Sequence, residues 1–336
     1  MKRATIKDVA KYSGVSVATV SRVLNNNDCV KEETVKIVQE AIKNLEYEPN
    51  YLGRNLRKRE TNTILAIVPN IEHTYYSGIL QGMSSMAHVL GYDIVISFSN
   101  SSEKTEERLL GMLSNRTVDA AILLGTRLNA KYLDSLNEKY CISLCCEPIE
   151  DSNILTLTVN DEVAGYDATK YLISMGHTKI GMVSIGIPNE TIYSAIDRER
   201  GYRRALQEAN IPYDESLIYR GTYDYSSGYD AMEHFYSLPN PPTAVFTVSD
   251  LLAMGVIKNA SEKGLPIGRR FSIMGFDNTL FSGLYIPSIS SVEQPCIEIG
   301  KEIVTKTLDN LNHKNTHVGR HYAKHNIILR DSTEKL

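Results

Sequence analysis

Arg22 stands within Val15-Ser16-Val17-Ala18-Thr19-Val20-Ser21-Arg22-Val23-Leu24-Asn25, a run in which small apolar, hydroxyl and amide side chains surround one guanidinium. A guanidinium is a planar fork of N–H donors, and it matches two acceptors held side by side, the pattern guanine shows in the DNA major groove. Val17 and Ala18 are small enough to reach a base edge or a thymine methyl, while Thr5, Ser16, Thr19, Ser21 and Asn25 suit phosphate oxygens. A second set, farther along the chain, suits a small polar molecule. Arg198 and Asp277 carry opposite charges, Tyr75, Tyr76 and Tyr223 offer flat rings with hydroxyls, and Thr126, Arg127, Ser249 and Asp250 add donors and acceptors. A carboxylate accepting from vicinal hydroxyls, a guanidinium donating to ring oxygens and stacked tyrosines would hold a sugar or a nucleoside.

The elements that must position the first set are short helices. Thr5 with Asp8 three residues on reads as a capping box, Gly14 as a turn, and Ser16 as the cap of a second helix. Ile6, Val9 and Ala10 on the first helix, and Val20, Val23 and Leu24 on the second, need an apolar partner. A third helix supplies it through Val35, Val38, Ala41, Ile42 and Leu45, with Glu32 and Glu33 in its first turn. Closing that core leaves Val17, Ala18, Ser21, Arg22 and Asn25 on the outer side, as a helix-turn-helix requires for groove docking. A helical hairpin that only packs is the plainer alternative. Pro49 ends the third helix, and Tyr51 to Arg59 is a short basic linker.

From residue 62 apolar runs alternate with helical stretches. Ile64 to Val68, Ile94 to Ser97, Ala120 to Leu124 and Cys141 to Leu144 read as strands, with helices such as Ile79 to Leu90 and Glu106 to Leu113 between them. A second series follows at Leu155 to Val159, Lys179 to Ser184, Leu217 to Tyr219, Ala244 to Val248 and Phe271 to Met274, then a helix at Ile297 to Leu311 and a strand at Asn326 to Leu329. Such alternation predicts two doubly wound parallel-sheet lobes. Ligands of these sheets sit beyond the C-terminal strand ends, and that rule selects the second residue set. Each has a structural alternative: packing for Tyr75 and Tyr76, an ion pair for Arg198 with Asp277, a helix cap for Asp250.

Composition narrows the class. The chain has 336 residues and a net charge of −4, yet residues 1 to 60 hold 12 basic against 8 acidic side chains. A basic head on an acidic body suits phosphate attraction at one end. Cys29, Cys141, Cys145, Cys146 and Cys296 show no C-x-x-C spacing, which points to a reducing cytoplasm, and no run reaches transmembrane length. The G-x-S-x-G elbow, the phosphate-binding Lys loop and the H-E-x-x-H helix are absent, so no enzyme and no cofactor are expected. His313, His317, His321 and His325 recur every four residues, but Gly319 and the polar run from Asn312 break the helix that would align them, and no metal site is expected.

The run from Val15 to Asn25, continued by Tyr47-x-Pro49-Asn50, resembles the lactose/galactose repressor (LacI/GalR) family of bacterial transcription regulators, and the likeness extends over nearly the whole chain. Leu52-Gly53-Arg54-Asn55, Thr63 to Pro69, Leu124-Gly125-Thr126-Arg127-Leu128 and Pro241 to Phe246 are similar to a nucleoside-responsive branch of that family. The resemblance implies an N-terminal all-α three-helix helix-turn-helix head on an α/β core of periplasmic-binding-protein-like type I. It divides the chain into a DNA-binding domain (1–48), a hinge (49–61) and an effector-binding and dimerisation core (62–336), the N-lobe at about 62–161 and 295–320 and the C-lobe at about 162–294 and 321–336. In the hinge it places Asn50, Arg54 and Leu56 on DNA, with Leu56 as a minor-groove wedge. A solvated connector is the alternative reading of that stretch. Gly53 stands where the family usually has alanine, which costs about 0.8 to 1 kcal/mol in a helix interior. Asn160-Asp161 reverses the usual Asp-Asn order, and Ile267-Gly268 replaces the usual Val-Pro.

The implied activity is that of a cytoplasmic, nucleoid-associated homodimer that reads a palindromic operator and answers to a nucleoside or sugar, with no membrane partner. The rivals are a small-molecule binding protein without regulatory DNA binding, and an enzyme of sugar or nucleoside metabolism. Replacing Arg22 by Ala is expected to cost about 1 to 3 kcal/mol of discrimination between operator and random DNA, read by competition binding at fixed salt. Unchanged discrimination would remove Arg22 from base reading.

Overall fold

The structure is a computed structural model that describes residues 4–24, 30–47, 60–71, 74–187, 191–313 and 316–336. The chain forms two compact units, Met1–Thr61 and Asn62–Leu336.

The first unit holds α1 (Ile6–Ser13), α2 (Val17–Leu24) and α3 (Glu32–Asn44). Thr5 starts α1 as the sequence predicts: its N–H and its hydroxyl both donate to Asp8 Oδ2, at 2.8 and 2.7 Å. Gly14 ends the helix at φ +67°, a left-handed conformation that glycine adopts without a Cβ penalty. Val9, Ala10, Val20, Val23, Val38, Ala41 and Tyr47 form the core these helices share.

The second unit begins with β1 (Thr63–Val68), α4 (Thr74–Val89), β2 (Asp93–Phe98), α5 (Glu103–Ser114), β3 (Ala120–Leu123), α6 (Ala130–Asn137), β4 (Cys141–Cys145) and β5 (Thr156–Val159). It continues with α7 (Asp161–Ser174), β6 (Ile180–Ile185), α8 (Tyr193–Glu208), β7 (Ile218–Gly221), α9 (Tyr225–Ser237), β8 (Ala244–Thr247) and α10 (Asp250–Glu262). Last come β9 (Ser272–Asp277), α11 (Leu280–Leu284), β10 (Ser290–Glu293), α12 (Cys296–Asn312), β11 (Arg320–Ala323) and β12 (Asn326–Ile328). Two six-stranded sheets result, in the orders β11-β5-β4-β3-β1-β2 and β12-β10-β9-β8-β6-β7. Every pair is parallel except β10 with β12.

The chain therefore passes between the lobes at β5 to α7, at β10 to α12 and again at β11 to β12. Two strands escape the hydropathy pattern. β10 is Ser-Ser-Val-Glu, buried because Ser290 Oγ donates to Arg330 O at 3.1 Å and Ser291 Oγ to Asp250 Oδ1 at 2.6 Å. β11 is an edge strand of alternating exposure, in register with β5. Because β11 joins the first sheet, the lobe boundary expected after residue 320 falls instead after Ala323. The strand pairing decides this, since the sequence there has no apolar run to mark it.

Helices of the core touch at their backbones through glycines. A Cβ on Gly82 of α4 would lie 2.1 Å from the Ile297 carbonyl, and one on Gly300 of α12 2.1 Å from the Ile79 carbonyl. Gly165 and Gly201 join α7 to α8 in the same way, and Gly228 and Gly255 join α9 to α10. Gly111, in α5, has nothing within 4 Å of the corresponding position. Gly82→Ala is expected to lower the melting temperature by separating α4 from α12, whereas Gly111→Ala should raise stability by roughly 0.5 to 1 kcal/mol through helix propensity alone. Thermal denaturation of the two variants checks the pair, and equal effects would mean that the close approach is not needed.

Candidate ligand cleft and nucleic-acid interface

On the head, Ser16 Oγ accepts the Thr19 N–H at 3.1 Å, and the two hydroxyls meet at 2.9 Å. Both residues thus set the start of α2. Ala18 and Arg22 are exposed, Ser21 is half-buried, and Thr5 is exposed at the start of α1. Val17, expected on the outer side, is half-buried and packs on the head's core, because it sits in the first turn of α2 facing the apolar cluster. Asn25, Asn50, Arg54 and Leu56 lie outside the described residues.

In the core unit the ends of the parallel strands converge, as the doubly wound rule predicts. A small cavity of about 70 Å³ is lined by Tyr75, Tyr76, Arg198, Tyr223 and Asp277 of the expected set, together with Cys146, Glu147, Ser194 and Gln294. It sits beside a larger cleft of about 610 Å³ that Tyr76, Thr126, Arg127 and Tyr223 also line. Ser249 and Asp250 line neither. Ser249 is fully buried and caps α10 by accepting the Leu252 N–H at 3.3 Å. Asp250 accepts from Thr279 N–H at 2.7 Å, Thr279 Oγ1 at 3.0 Å and Ser291 Oγ at 2.6 Å, so it fastens the loop after β9 from behind. Helix-cap and loop-fastening duties use up both side chains.

Arg198 is held by the α7 and α8 contact. Because Gly165 and Gly201 let these helices meet at the backbone, Arg198 Nε donates to Asp161 Oδ1 at 2.8 Å and Nη1 to the Val248 carbonyl at 2.6 Å. Its guanidinium lies 3.7 Å from the centre of the Phe276 ring. The ion-pair partner is Asp161, not Asp277. Burial lifts the Asp161 carboxyl and the Arg198 charge opposes that lift. The contact is short, and both side chains are nearly buried, so each is the other's principal charge partner.

Asp277 ends β9 at φ +103°, and Cys146 follows β4 at φ +74°. Such conformations cost a non-glycine residue about 1 to 3 kcal/mol and turn both side chains into the cavity. Asp277 Oδ1 accepts from Gln294 Nε2 at 2.8 Å, and Gln294 Oε1 accepts from the Tyr75 hydroxyl at 2.9 Å. That relay joins the second lobe to the first. Burial pushes the Asp277 carboxyl well above the usual range and the Tyr223 phenol up to about 12, so the phenol stays a donor.

Glu147 makes the other bridge. Its carboxylate follows β4 in the first lobe and accepts from the Ser194 N–H at 3.1 Å and the Ser194 hydroxyl at 2.7 Å, in the first turn of α8 in the second lobe. Ile192, at the cap position of α8, contributes no side-chain bond, so Glu147 caps this helix from across the cleft. Burial raises its carboxyl to about 7 against the Ser194 hydrogen bonds, which favour the ionised form. Glu147 and Asp161 were legible as strand-end residues, Glu147 after β4 and Asp161 one position after β5 and Asn160. Gln294 follows β10, which has no apolar signal, and Ser194 lies on a helix, where the strand-end rule does not look.

The histidine repeat does not gather at one point: His317 Nε2 contacts Asp309 at 3.1 Å and its ring meets His321 edge-on with centroids 6.0 Å apart, while His325 Nε2 contacts Asp167 on α7 at 3.0 Å. Among the described residues no cluster could hold a metal ion, and no helix is long and apolar enough to cross a membrane.

The family model described as bacterial regulatory proteins, lacI family, matches residues 5–50, and that of the periplasmic binding protein-like domain matches residues 169–333. Catabolite control protein A of Priestia megaterium is 35% identical over 98% of this chain and 99% of its own length. The chain belongs to the lacI family of bacterial regulatory proteins. The HTH-type transcriptional repressor CytR of Escherichia coli K12 is 33% identical over 99% of this chain and 97% of its own. With two family members this similar, identity alone does not select one branch of the family. A solved structure of the Lac repressor dimer bound to operator and the anti-inducer ONPF has the same fold, with TM-score 0.89 and 23% identity over 99% of this chain and all of that one. These lacI-family relatives are regulators and not enzymes, and this chain is a DNA-binding transcription regulator with them.

The Glu147 bridge has a pH signature. The folded chain keeps this proton to about 7 and the unfolded chain to near 4.5, so between those values the folded state binds more protons and its stability falls as pH rises. Glu147→Gln is expected to flatten that fall, measured as melting temperature at about pH 5 and about pH 7.5. Identical falls in both proteins would show that the carboxyl is not held protonated.

Proposed function

We propose that the protein is a cytoplasmic homodimeric repressor of the lacI family that binds a palindromic operator and is controlled by a nucleoside or sugar held between its lobes. The observation that carries the ligand reading is the cavity at the converging strand ends, where Arg198, Asp277 and three tyrosines meet. Hydroxyls would be held by Asp277 and Glu147, ring oxygens by Arg198, and a flat face by Tyr75, Tyr76 or Tyr223. The strain at Cys146 and Asp277 supports a binding role, since such conformations persist where the surroundings over-determine them.

Dimerisation is supported by apolar groups left on each lobe. Val89, Leu90, Val95, Ile96 and Phe98 are exposed around the edge strand β2, and Leu280, Phe281, Leu284 and Ile286 are exposed around α11. A second copy would bury them and bring two heads to the half-sites of a palindrome. The Lac repressor structure is a dimer on its operator. On the head, Arg22 and Ala18 would read base edges, with Thr5, Ser16, Thr19 and Ser21 on phosphates and Asn25, Asn50, Arg54 and Leu56 completing the contact. When bound to DNA the protein would be associated with the nucleoid.

An effector acts through its different affinity for two lobe arrangements, and a coupling of about 1 to 3 kcal/mol is enough for regulation. The bridges Glu147 to Ser194 and Tyr75 to Gln294 are the contacts that a change of arrangement would remake. The test uses the full chain: footprinting on genomic DNA to find the operator, then affinity with each nucleoside and monosaccharide added. Asp277→Ala is expected to keep operator affinity and lose the response to the effector so found. A full response in Asp277→Ala would remove this residue from the site.

A further inference from the structure

We propose that Asp161 sets the specificity of the cleft by neutralising Arg198, so that the cavity takes an uncharged polyhydroxylated ligand and excludes phosphorylated and carboxylated ones. This rests on the reading of the cavity as the effector site. Arg198 is the only basic side chain among the described residues that line the inner cavity, and its charge is already matched inside the protein. Nε is on Asp161, Nη1 is on the Val248 carbonyl, one face is on Phe276, and the side chains of Arg198 and Asp161 are only 7% and 3% exposed.

An anionic ligand would give up its hydration for a site with no net positive charge, and would stand beside Glu147, which carries negative charge once it loses its proton. The approach carries the same sign. Among the described residues of the outer cleft, Glu103, Glu106, Glu147, Glu150 and Asp151 face one basic side chain, Arg127. Walls of one sign focus the field in a cleft and lower the local concentration of anions. A neutral polyol meets no such penalty. The carboxylates accept its hydroxyls, while the guanidinium N–H groups not spent on Asp161 and Val248 can donate to its oxygens.

The local order Asn160-Asp161 fits this arrangement. Asn160 accepts the Val163 N–H at 3.1 Å and caps α7, a duty either residue type performs well. The helix is thus capped by Asn160, and the carboxylate one position on is left for Arg198. An asparagine at 161 would keep an oxygen acceptor for Arg198 Nε and remove the countercharge.

The test is calorimetric titration of the full chain with inorganic phosphate at constant ionic strength. Asp161→Asn is expected to bind phosphate saturably at the cavity, with wild type at least tenfold weaker and not saturating over the same concentration range. That gain should vanish in the double variant Asp161→Asn, Arg198→Gln. Glu147→Gln, which keeps the Arg198 pair, should gain less than Asp161→Asn and serves if that variant does not fold. Saturable phosphate binding by wild type that Arg198→Gln abolishes, or no gain in either single variant, would overturn the proposal. Failure of the effector-site reading would show separately, as operator affinity in wild type that no nucleoside or sugar changes.

Discussion

Helix backbones in direct contact are the constraint on which this core depends. At Gly82 with Gly300, Gly165 with Gly201, and Gly228 with Gly255, a methyl group would fall 2.0 to 2.4 Å from a carbonyl oxygen of the neighbouring helix. Packed interiors leave no room to absorb such an overlap without moving an element. The middle pair bears directly on the cleft. By bringing α7 and α8 to backbone contact it sets Arg198 against Asp161, and a guanidinium so deeply buried is tolerable only when paired and hydrogen-bonded.

The floor of the cavity follows from that ion pair, and its walls follow from how the strands end. Parallel strands deliver their last residues to one edge, and at β4 and β9 the chain turns through a left-handed conformation with a cysteine and an aspartate where glycine would be unstrained. Asp250, Ser291 and Thr279 hold the β9 turn from behind. Backbone strain at the β9 end is thus balanced by hydrogen bonds from residues that do not line the cavity.

Glu147 and Gln294 tie the lobes with contacts that are cheap to exchange. Glu147 caps α8 from the opposite lobe, and Gln294 passes the Asp277 contact on to Tyr75. Each donor or acceptor involved could turn to a ligand hydroxyl instead. The groups that join the lobes are therefore the groups that line the cavity, which is the physical requirement for coupling occupancy of that cavity to lobe arrangement.

Local patterns in the sequence determined a great deal. The caps at Thr5 and Ser16, the turn at Gly14, the exposure of Arg22 and most of the strands of the two sheets are written in spacing, because capping and amphipathic burial involve neighbours in the chain. Asp277 and Tyr223 were legible as strand-end residues, whereas Tyr75, Tyr76 and Arg198 lie on helices that follow strands, and for Arg198 the family resemblance supplied the signal. What only the tertiary structure decided involves partners far apart in sequence: Asp161 rather than Asp277 beside Arg198, Asp250 and Ser249 spent on local fastening, Glu147 capping a helix of the other lobe, and β11 joining the first sheet. β10 and β11 lacked a signal because their burial or pairing comes from cross-strand hydrogen bonds, not from apolar side chains. A side chain's type states what it can bond, but which partner it meets depends on where helices are free to touch, and that is a property of the packed molecule.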